Sequence, residues 1–356
     1  MSGRQLFAEL QRKMTRQARA AAAAETAWLE DEMNAKDSSL ASKSIDHAFT
    51  ATSLTSAASD PTFAGTLSFM RRRFTKDPTG ADAVVWGIPF DAATSNRPGA
   101  RFGPQAIRRA SAIFDNDPQY PFGRDLFAEM AVIDYGDGLL DYGNHAATPA
   151  AIERQANTLL DSGAFLLTLG GDHFITWPLL KAHVARHGPL AMVQFDAHQD
   201  TWTDEAGRID HGSFVGRAVR DGLIDASRSI QIGIRTQAPE DCGIEMIHGY
   251  EVEDMTASDI AARILARTAS APAYLTFDID CLDPAYAPGT GTPVAGGPSS
   301  AKILSVLQRL SSLDIRGADV VEVAPAYDHA DITAIAGATV AMYMLGLLAG
   351  RLATSR

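Results

Sequence analysis

The sequence predicts a protein of the α/β class, with a mainly parallel sheet and helices on both faces. From about residue 80 onward, short runs rich in Val, Ile and Phe alternate with longer segments that carry apolar residues at helical spacing. This alternation is typical of βαβ units. Several of the short runs are apolar at every position, as expected for strands that are buried on both faces. With 356 residues, of which 46% are hydrophobic, the chain can bury one large core.

Eight short runs are predicted as strands because β-branched and aromatic residues dominate them and turn residues bound them. In chain order they cover residues 84–88, 130–134, 165–169, 191–195, 230–234, 244–247, 273–277 and 320–323. Helices are predicted where apolar residues recur every three or four positions over a longer segment. Clear examples cover residues 149–162, 176–186, 258–269, 299–310 and 332–352. Many of these helices follow a strand, which is the order that parallel neighbours require.

The first sixty residues differ in composition from the rest of the chain. Apolar residues fall at helical spacing near the start, at Leu6, Phe7, Leu10 and Met14. We therefore expect a surface helix there, followed by an irregular connection at 38–59, where Ser, Ala and Asp are common. The predicted organisation is an N-terminal extension at 1–60 and a main domain at 61–356. The extension either packs on a neighbouring subunit or is a loosely held tail.

Charge and composition make several classes of partner unfavourable. The formal net charge of -12 disfavours nucleic acid and anionic membranes, and favours small cationic ligands. The sequence contains no run of about 18 uninterrupted apolar residues, so we expect no membrane span. Its two cysteines, Cys242 and Cys281, form no disulfide framework. We therefore expect a cytoplasmic protein.

The stretch after the predicted strand 191–195 carries three side chains that commonly bind metal ions. Asp196, His198 and Asp200 follow that strand at alternate positions. In an extended or just-turning chain these positions face the same side, so two carboxylates and one imidazole converge. An aspartate at the end of a strand is often only the N-cap of the next helix. The pattern alone therefore leaves a ligand role and a capping role open.

Two further predicted strands end in the same residue types. The run 165–169 stops at two glycines and leads to His173, and the run 273–277 leads to Asp278 and Asp280. Because the carboxyl ends of parallel strands meet at one edge of a sheet, all three groups can meet. Clustered carboxylates repel one another unless cations lie between them, and two divalent cations would neutralise this set. The candidate metal ligands are His173, Asp196, His198, Asp200, Asp278 and Asp280.

Other residues of possible chemical importance lie in or near loops. His211, in the loop after the three alternating ligands, is either a solvated histidine or an acid that carries a proton. Glu322 falls inside the apolar run 320–323, and a buried glutamate needs a proton or a cationic partner. It is therefore either structural or the binding group for a positively charged ligand. Arg97 and Arg101 either bind a substrate carboxylate or pair with structural acids.

Several of these stretches resemble the signature motifs of the ureohydrolase family, which contains arginases and agmatinases. The three motifs are Gly170-Gly-Asp-His173, Asp196-Ala-His-Gln-Asp200 and Phe277-Asp-Ile-Asp-Cys-Leu-Asp-Pro284. Gly87-Ile-Pro-Phe-Asp91 and Asp319-Val-Val-Glu322 are most similar to the agmatinase-like branch. The resemblance implies an arginase-like three-layer fold with a mainly parallel eight-stranded sheet and helices on both faces. It also implies a trimer or hexamer, and leaves open a related second subunit.

The resemblance further implies roles for the candidate residues. The two sets of ligands would be His173, Asp196, Asp200 and Asp278 for one metal ion, and Asp196, His198, Asp278 and Asp280 for the other. Mn²⁺ is the expected metal because most ligand atoms are oxygens, with Ni²⁺ or Co²⁺ as alternatives. Asp200 would orient the attacking water. His211 would protonate the leaving amine, and Glu322 would bind the guanidinium group beside it.

The resemblance implies hydrolysis of a small cationic guanidino compound to urea and an amine, with agmatine as the default substrate. Gln199 and Trp202 differ from the smaller or hydroxyl-bearing residues common in agmatinases, and Trp177 adds bulk. Guanidinobutyrate, guanidinopropionate, proclavaminate precursors, free guanidine and a biguanide such as metformin therefore stay open as substrates. Three further alternatives are a single-zinc deacetylase, a formiminoglutamate hydrolase, and a non-catalytic subunit or scaffold of an oligomer.

Overall fold

A computed structural model of the chain describes residues 62–114, 118–203 and 208–355. The helix and the connection expected within residues 1–60 lie outside these ranges. The strands are β1 (Arg73–Phe74), β2 (Ala83–Ile88), β3 (Val132–Asp137), β4 (Phe165–Gly170), β5 (Ala191–Phe195), β6 (Ile230–Ile234), β7 (Glu245–His248), β8 (Ala273–Asp278) and β9 (Ile315–Val321). They form one sheet in the order β1-β3-β2-β4-β9-β8-β5-β6-β7, and every ladder is parallel.

Helices cover both faces of the sheet. They are α1 (Gly103–Ser111), α2 (Leu126–Glu129), α3 (Thr148–Leu160), α4 (Thr176–His187), α5 (Phe214–Arg220), α6 (Gly249–Asp254), α7 (Ala257–Thr268), α8 (Ser300–Leu307) and α9 (Ile332–Ser355). Buried residues of α1, α7, α8 and α9 form one apolar cluster with the sheet, and those of α3, α4 and α5 form a second. Leu167 belongs to the first cluster and its neighbour Leu166 to the second, as strand alternation requires. The predicted three-layer α/β class is confirmed.

Two details of the sheet differ from the prediction. The sheet has nine strands rather than eight, because Arg73–Phe74 pairs with β3 and is too short to show a pattern in the sequence. The last strand covers Ile315–Val321 rather than 320–323. Before residue 320 the strand contains Gly317 and Asp319, which interrupt the apolar pattern although both are buried. Glu322 consequently lies after the strand, not inside it.

Sequence reasoning also missed some short helices. α1 follows a loop that contains Pro98 and Gly99. Pro104 lies in its first turn, where a missing N–H costs nothing. α7 was predicted to within one residue at each end from the spacing of its apolar residues. In the structure Thr256 and Asp259 form a reciprocal capping box at its start.

α9 is long and apolar enough to cross a bilayer by length and composition alone. Within Ile332–Ala353, however, 78% of the apolar window is buried inside the fold. Ala334, Ala338 and Ala341 belong to one of the two core clusters. This helix has the character of a core helix, whose apolar residues are covered by the sheet and by α1.

Candidate active site

The predicted site residues lie at the carboxyl edge of the sheet, at the ends of four neighbouring strands. β4, β9, β8 and β5 are adjacent in the sheet. His173 follows β4, Glu322 follows β9, Asp278 ends β8 and Asp196 follows β5. In open parallel sheets this edge is where ligands commonly bind. The topology thus gathers residues that are far apart in sequence.

Gly171 allows the end of β4 to approach the loop after β2. A Cβ atom at this position would lie 1.8 Å from the carbonyl oxygen of Phe90, so no other residue fits without movement of the backbone. The Gly171 carbonyl accepts a hydrogen bond from Glu322 N at 2.8 Å, and Gly171 N donates to Ile88 O at 2.9 Å. This close approach determines where the next residues, including His173, enter the site.

The first group of candidate ligands surrounds His173. Its Nδ1 atom lies 3.0 Å from Asp196 Oδ2, 3.1 Å from Asp200 Oδ2 and 3.3 Å from Asp278 Oδ2. None of these contacts has normal hydrogen-bond geometry, and the nitrogen has no other hydrogen-bond partner among the described residues. All four side chains are buried. One imidazole nitrogen and three carboxylate oxygens therefore face a common point.

The second group surrounds His198. Its Nδ1 atom lies 3.0 Å from Asp280 Oδ2 and 3.5 Å from Asp196 Oδ1. Asp196 therefore presents one oxygen to each group. In the first group, the ligand atoms of His173, Asp196 and Asp200 lie within 4.8 Å of one another. The same holds in the second group for Asp196, His198 and Asp280. Each group is therefore compact enough to hold a metal ion. The structure brings all six predicted ligands together.

Hydrogen bonds from N–H groups fix three of these carboxylates. Asp278 Oδ1 accepts a hydrogen bond from Asp280 N at 2.8 Å, and Asp280 Oδ1 accepts one from Ala197 N at 3.1 Å. Asp196 Oδ1 accepts a hydrogen bond from His198 N at 2.6 Å. Asp278 and Asp280 thus use one oxygen for the backbone and turn the other toward the two histidines. Such orientation reduces the freedom that each ligand loses when an ion binds.

A hydrogen-bonded chain determines which nitrogen of His173 carries the proton. Thr276 Oγ1 donates to Asp319 Oδ1 at 2.5 Å, so it can only accept from His173 Nε2–H, at 2.8 Å. The carboxylate of Asp319 also accepts from the hydroxyl groups of Tyr274 and Thr176. With Nε2 protonated, a neutral His173 ring presents the lone pair of Nδ1 to the three carboxylates. That is the form of histidine that binds a metal ion.

The pKa values of the cluster are strongly coupled. Burial and the neighbouring charge of Asp196 raise the pKa of Asp200 to about 7. Burial, with the charges of Asp280 and Asp196, raises the pKa of Asp278. Burial lowers the pKa of His198, but the carboxylates of Asp280 and Asp196 outweigh it and bring the value to about 12. The negative charge must therefore be balanced by protons or by cations. His173 Nδ1, the three carboxylate oxygens around it and the carboxylate of Asp196 shared by both groups fit divalent cations.

His211 and Glu322 form a buried pair beside the cluster. His211 Nδ1 lies 2.8 Å from Glu322 Oε1, which also accepts a hydrogen bond from His173 N at 2.9 Å. Burial lowers the pKa of His211, but the charge of Glu322 outweighs it and raises the pKa to about 9. On the other side of the ring, Ser95 N donates to Nε2 at 3.1 Å, and Ser95 Oγ lies 2.8 Å from the same nitrogen. The Ser95 hydroxyl can donate to a neutral ring or accept from a protonated one.

One carboxylate oxygen of Glu322 has no hydrogen-bond partner within the described part of the chain. Its side chain is fully buried, and Oε2 accepts no hydrogen bond from any described residue. Nearby Asp172 is also fully buried, and burial together with the charge of Glu322 raises its pKa. An unpartnered buried carboxylate oxygen is costly, by about 1–3 kcal/mol or more for a charged group. Glu322 is therefore a candidate binding group for a cation.

Two of the site residues have left-handed backbones. Asp200 has φ 52° and Glu322 has φ 64°, in a region that residues other than glycine rarely adopt. Each costs about 1–3 kcal/mol, and such residues cluster at functional sites. Both residues lie in segments that follow a strand, at the carboxyl edge of the sheet.

A cavity of about 340 Å³ opens above the two ligand groups. Its lining consists of Ser95, His173, His198, Asp200, Trp202, Asp210, His211, Gly212, Asp278 and Thr292. Trp202 N donates to Gly212 O at 3.1 Å, which fixes the tryptophan against the turn that carries His211. This volume suits a small ligand. Trp202 is thus the one unusual residue noted in the sequence that shapes this cavity.

The other unusual residues have structural roles. Gln199 is buried, and its amide oxygen accepts from Ala238 N at 2.5 Å. Trp177 lies on α4, and its indole N–H donates a hydrogen bond to Asp221 Oδ2 at 2.8 Å. Arg101 pairs with Asp91 at 2.5 Å, in line with the structural alternative.

Sequence reasoning missed the residues that support the ligands. Thr276 and Asp319 are register partners on β8 and β9, so only the strand order shows that they meet. Ser95 lies 116 positions from His211 and has no motif of its own. Gln194, whose amide donates to Asp196 Oδ2 at 2.7 Å, has a weak signal as a polar residue within the apolar strand β5.

A parallel sheet whose carboxyl edge gathers two histidines and four aspartates around a small cavity defines the class of α/β metallohydrolases. A family model described as the arginase family matches residues 81–346. The chain therefore belongs to the arginase family, and it is a metal-dependent ureohydrolase acting on a small guanidino substrate. The family resemblance predicted from the motifs is confirmed.

Individual relatives agree with this assignment. The agmatinase of Chromobacterium violaceum is 48% identical over 289 residues, which cover 81% of this chain and 90% of that protein. A solved structure of a hypothetical agmatinase from Burkholderia thailandensis is 50% identical, with a TM-score of 0.86, over 87% of this chain and 99% of that one. The proclavaminate amidino hydrolase of Streptomyces clavuligerus is 36% identical, with a TM-score of 0.79, over 82% of this chain and 99% of that one.

Proposed function

We propose that the protein hydrolyses agmatine to urea and putrescine. The observation that carries this proposal is Glu322 Oε2, a buried carboxylate oxygen that accepts no hydrogen bond from the described residues, while Oε1 contacts His173 N and His211. A guanidinium group can donate N–H hydrogen bonds to such a carboxylate. The choice of agmatine is supported by the relatives named agmatinase at 48% identity.

We further propose that six side chains hold two divalent cations. His173 and Asp200 would belong to one ion, His198 and Asp280 to the other, and the shared ligands would be Asp196 and Asp278. Oxygen-rich ligation favours Mn²⁺, with Ni²⁺ or Co²⁺ as alternatives. When bound, such a pair of ions supplies a water that is activated for attack near neutral pH.

The protein's own residues would then position the substrate and move protons. Glu322 holds the guanidinium group so that its central carbon faces the attacking water, which Asp200 orients by accepting a hydrogen bond. The water gives one proton to Asp200 as its oxygen adds to the carbon, and a neutral tetrahedral intermediate results. His211 gives its proton to the alkyl nitrogen, and the bond between that nitrogen and the carbon breaks. The protonated urea that forms returns a proton to His211, and the proton on Asp200 passes to the free amine. Ser95 can serve as the hydrogen-bond partner of His211 before and after this transfer.

The assembly and the location stay predictions. We expect a trimer or hexamer in the cytoplasm, in which residues 1–60 contact a neighbouring subunit. A related second subunit is the alternative. Sedimentation of the full chain, compared with a chain that begins at residue 61, tests the subunit role of the extension.

A panel of guanidines tests the substrate. Urea release should be measured from agmatine, guanidinobutyrate, guanidinopropionate, arginine, guanidine and metformin, with Mn²⁺ and Ni²⁺ in parallel. The highest kcat/KM is expected for agmatine with Mn²⁺. A higher value for another guanidine would overturn the choice of substrate and leave the ureohydrolase assignment intact. Formamide release from formiminoglutamate would indicate a different reaction.

A further inference from the structure

Asp210 is a charged residue of the cavity wall that the proposed reaction does not use. It lines the cavity together with its chain neighbour His211. Oδ1 accepts a hydrogen bond from Gly212 N at 2.9 Å and so caps the short helical turn His211–Ser213. Oδ2 lies 3.9 Å from Arg208 Nε, which is beyond hydrogen-bond distance. The Arg208 side chain is 62% exposed, so water screens this contact.

Apart from the histidines, the described residues of the cavity wall carry no positive charge. Among its described lining residues there is no lysine or arginine. Outside the ligand groups and His211, the wall consists of Ser95, Trp202, Gly212, Thr292 and Asp210 itself. An anionic substrate tail would find no fixed cation there and would be repelled by Asp210. A cationic tail would find one carboxylate oxygen with room for a hydrogen bond.

The geometry of the turn connects this carboxylate with the reacting end of the substrate. Asp210 immediately precedes His211, whose ring contacts Glu322, the proposed guanidinium partner. Trp202 is tied to the same turn through its hydrogen bond to Gly212 O. Its indole lies against His198, with 6.3 Å between ring centres, and offers an apolar surface for a methylene chain.

We propose that Asp210 binds the distal ammonium group of the substrate and selects guanidines with a cationic tail over guanidines with an anionic tail. This inference rests on the proposed function, because it requires that a guanidinium group is held at Glu322. Asp210 is then a specificity residue that acts on the part of the substrate that does not react. Its loss should change binding of the tail more than the chemical step.

The test uses three substrates whose tails each contain four carbons but differ in charge. These are agmatine, n-butylguanidine and 4-guanidinobutyrate, whose tails are cationic, neutral and anionic. The variant D210N removes the charge but keeps a side-chain oxygen, and asparagine caps helical turns as well as aspartate does. Urea release gives kcat and KM for each substrate with the fully metal-loaded enzyme.

Asp225 offers a matched control. It also caps a short helical turn, accepting from Ser227 N at 3.0 Å, and lies 3.6 Å from Arg228 Nε. Asp225 N donates to Leu190 O, just before β5, so this residue lies at the opposite edge of the sheet from the cavity. D225N therefore removes the same charge from the same kind of turn without changing the cavity. It should leave all three substrates within about twofold of wild type.

D210N should lower kcat/KM for agmatine about tenfold, mainly through KM, because a partly screened charge pair is lost. Butylguanidine should change less than twofold, and guanidinobutyrate should improve. D210E should recover part of the preference for agmatine. An equal loss for all three substrates, or no loss for agmatine, would overturn the role of Asp210. Failure of wild type to release urea from any of the three would instead overturn the proposed function.

Discussion

Replacing Thr276 by valine should weaken metal binding, because Thr276 decides which nitrogen of His173 faces the cluster. The threonine hydroxyl accepts from His173 Nε2 at 2.8 Å and donates to Asp319 Oδ1 at 2.5 Å. Valine has nearly the same shape but makes neither hydrogen bond. Asp319 keeps the hydroxyl groups of Tyr274 and Thr176 as donors, so the main loss falls on the histidine.

The size of the effect follows from the burial of that histidine. In the metal-free T276V protein, His173 can move its proton to Nδ1, where three carboxylates stand within 3.0–3.3 Å. A metal ion requires the opposite tautomer, which leaves a buried N–H without a partner at a cost of about 1–3 kcal/mol. At about 1.4 kcal/mol per tenfold change, the affinity for Mn²⁺ should fall by about 10–100-fold. This agrees with the usual cost of removing the partner of a metal-binding histidine.

The assay is a competition titration of Mn²⁺ against a metal-binding dye, together with the Mn²⁺ concentration that gives half-maximal urea release. Thr168 supplies the control, because it is also a fully buried strand threonine and its hydroxyl has no hydrogen-bond partner among the described residues. T168V should bind Mn²⁺ as wild type does. An affinity of T276V within twofold of T168V would refute the reasoning.

Other predictions concern the pair beside the cluster and the cluster itself. E322Q keeps the shape but removes the charge, so kcat/KM for agmatine should fall by about 100-fold or more; a change below threefold would argue against Glu322 as the guanidinium partner. Burial lowers the pKa of His211, but the charge of Glu322 has the larger effect and raises the pKa to about 9. His211 is therefore protonated below that pH and loses its proton above it. The alkaline limb of kcat/KM should therefore lie near pH 9 in wild type and at lower pH in E322Q, whereas an unchanged limb would separate His211 from proton transfer. H211N should lose about 100-fold or more in kcat. Removal of the metal ions with a chelator should lower the melting temperature by about 5 °C, because the carboxylates of the cluster then repel one another, and added Mn²⁺ should restore it. Scanning calorimetry of the metal-free and reloaded protein measures this difference. Equal melting temperatures would contradict a metal site in this cluster.

The fold and the convergence of the candidate ligands were largely predictable because their signals are local. Asp196, His198 and Asp200 stand at alternate positions directly after a strand, so their convergence follows from strand geometry alone. Other ligands follow different strands, and the rule that parallel strands share one carboxyl edge was enough to bring them together. Apolar runs such as Ala191–Phe195 were predicted to the residue because both faces are buried.

The supporting contacts were not predictable, because they depend on strand order and on unusual backbone conformations. Thr276 meets Asp319 only because β8 and β9 are neighbours in this register. Glu322 was expected inside a strand, whereas it follows β9 with φ 64°. Nothing in a single sequence reports a left-handed glutamate. Ser95 reaches His211 from the loop after β2, and loops of that kind leave no periodic pattern.

Urea release from agmatine as a function of bound Mn²⁺ per chain tests the central claim most directly. Metal-free protein should be loaded stepwise and analysed for metal content and for activity at each step. The proposed site predicts that activity rises until two ions are bound per chain and then stays constant. Full activity with one ion per chain, or no urea with two, would contradict the proposed two-metal hydrolysis of agmatine.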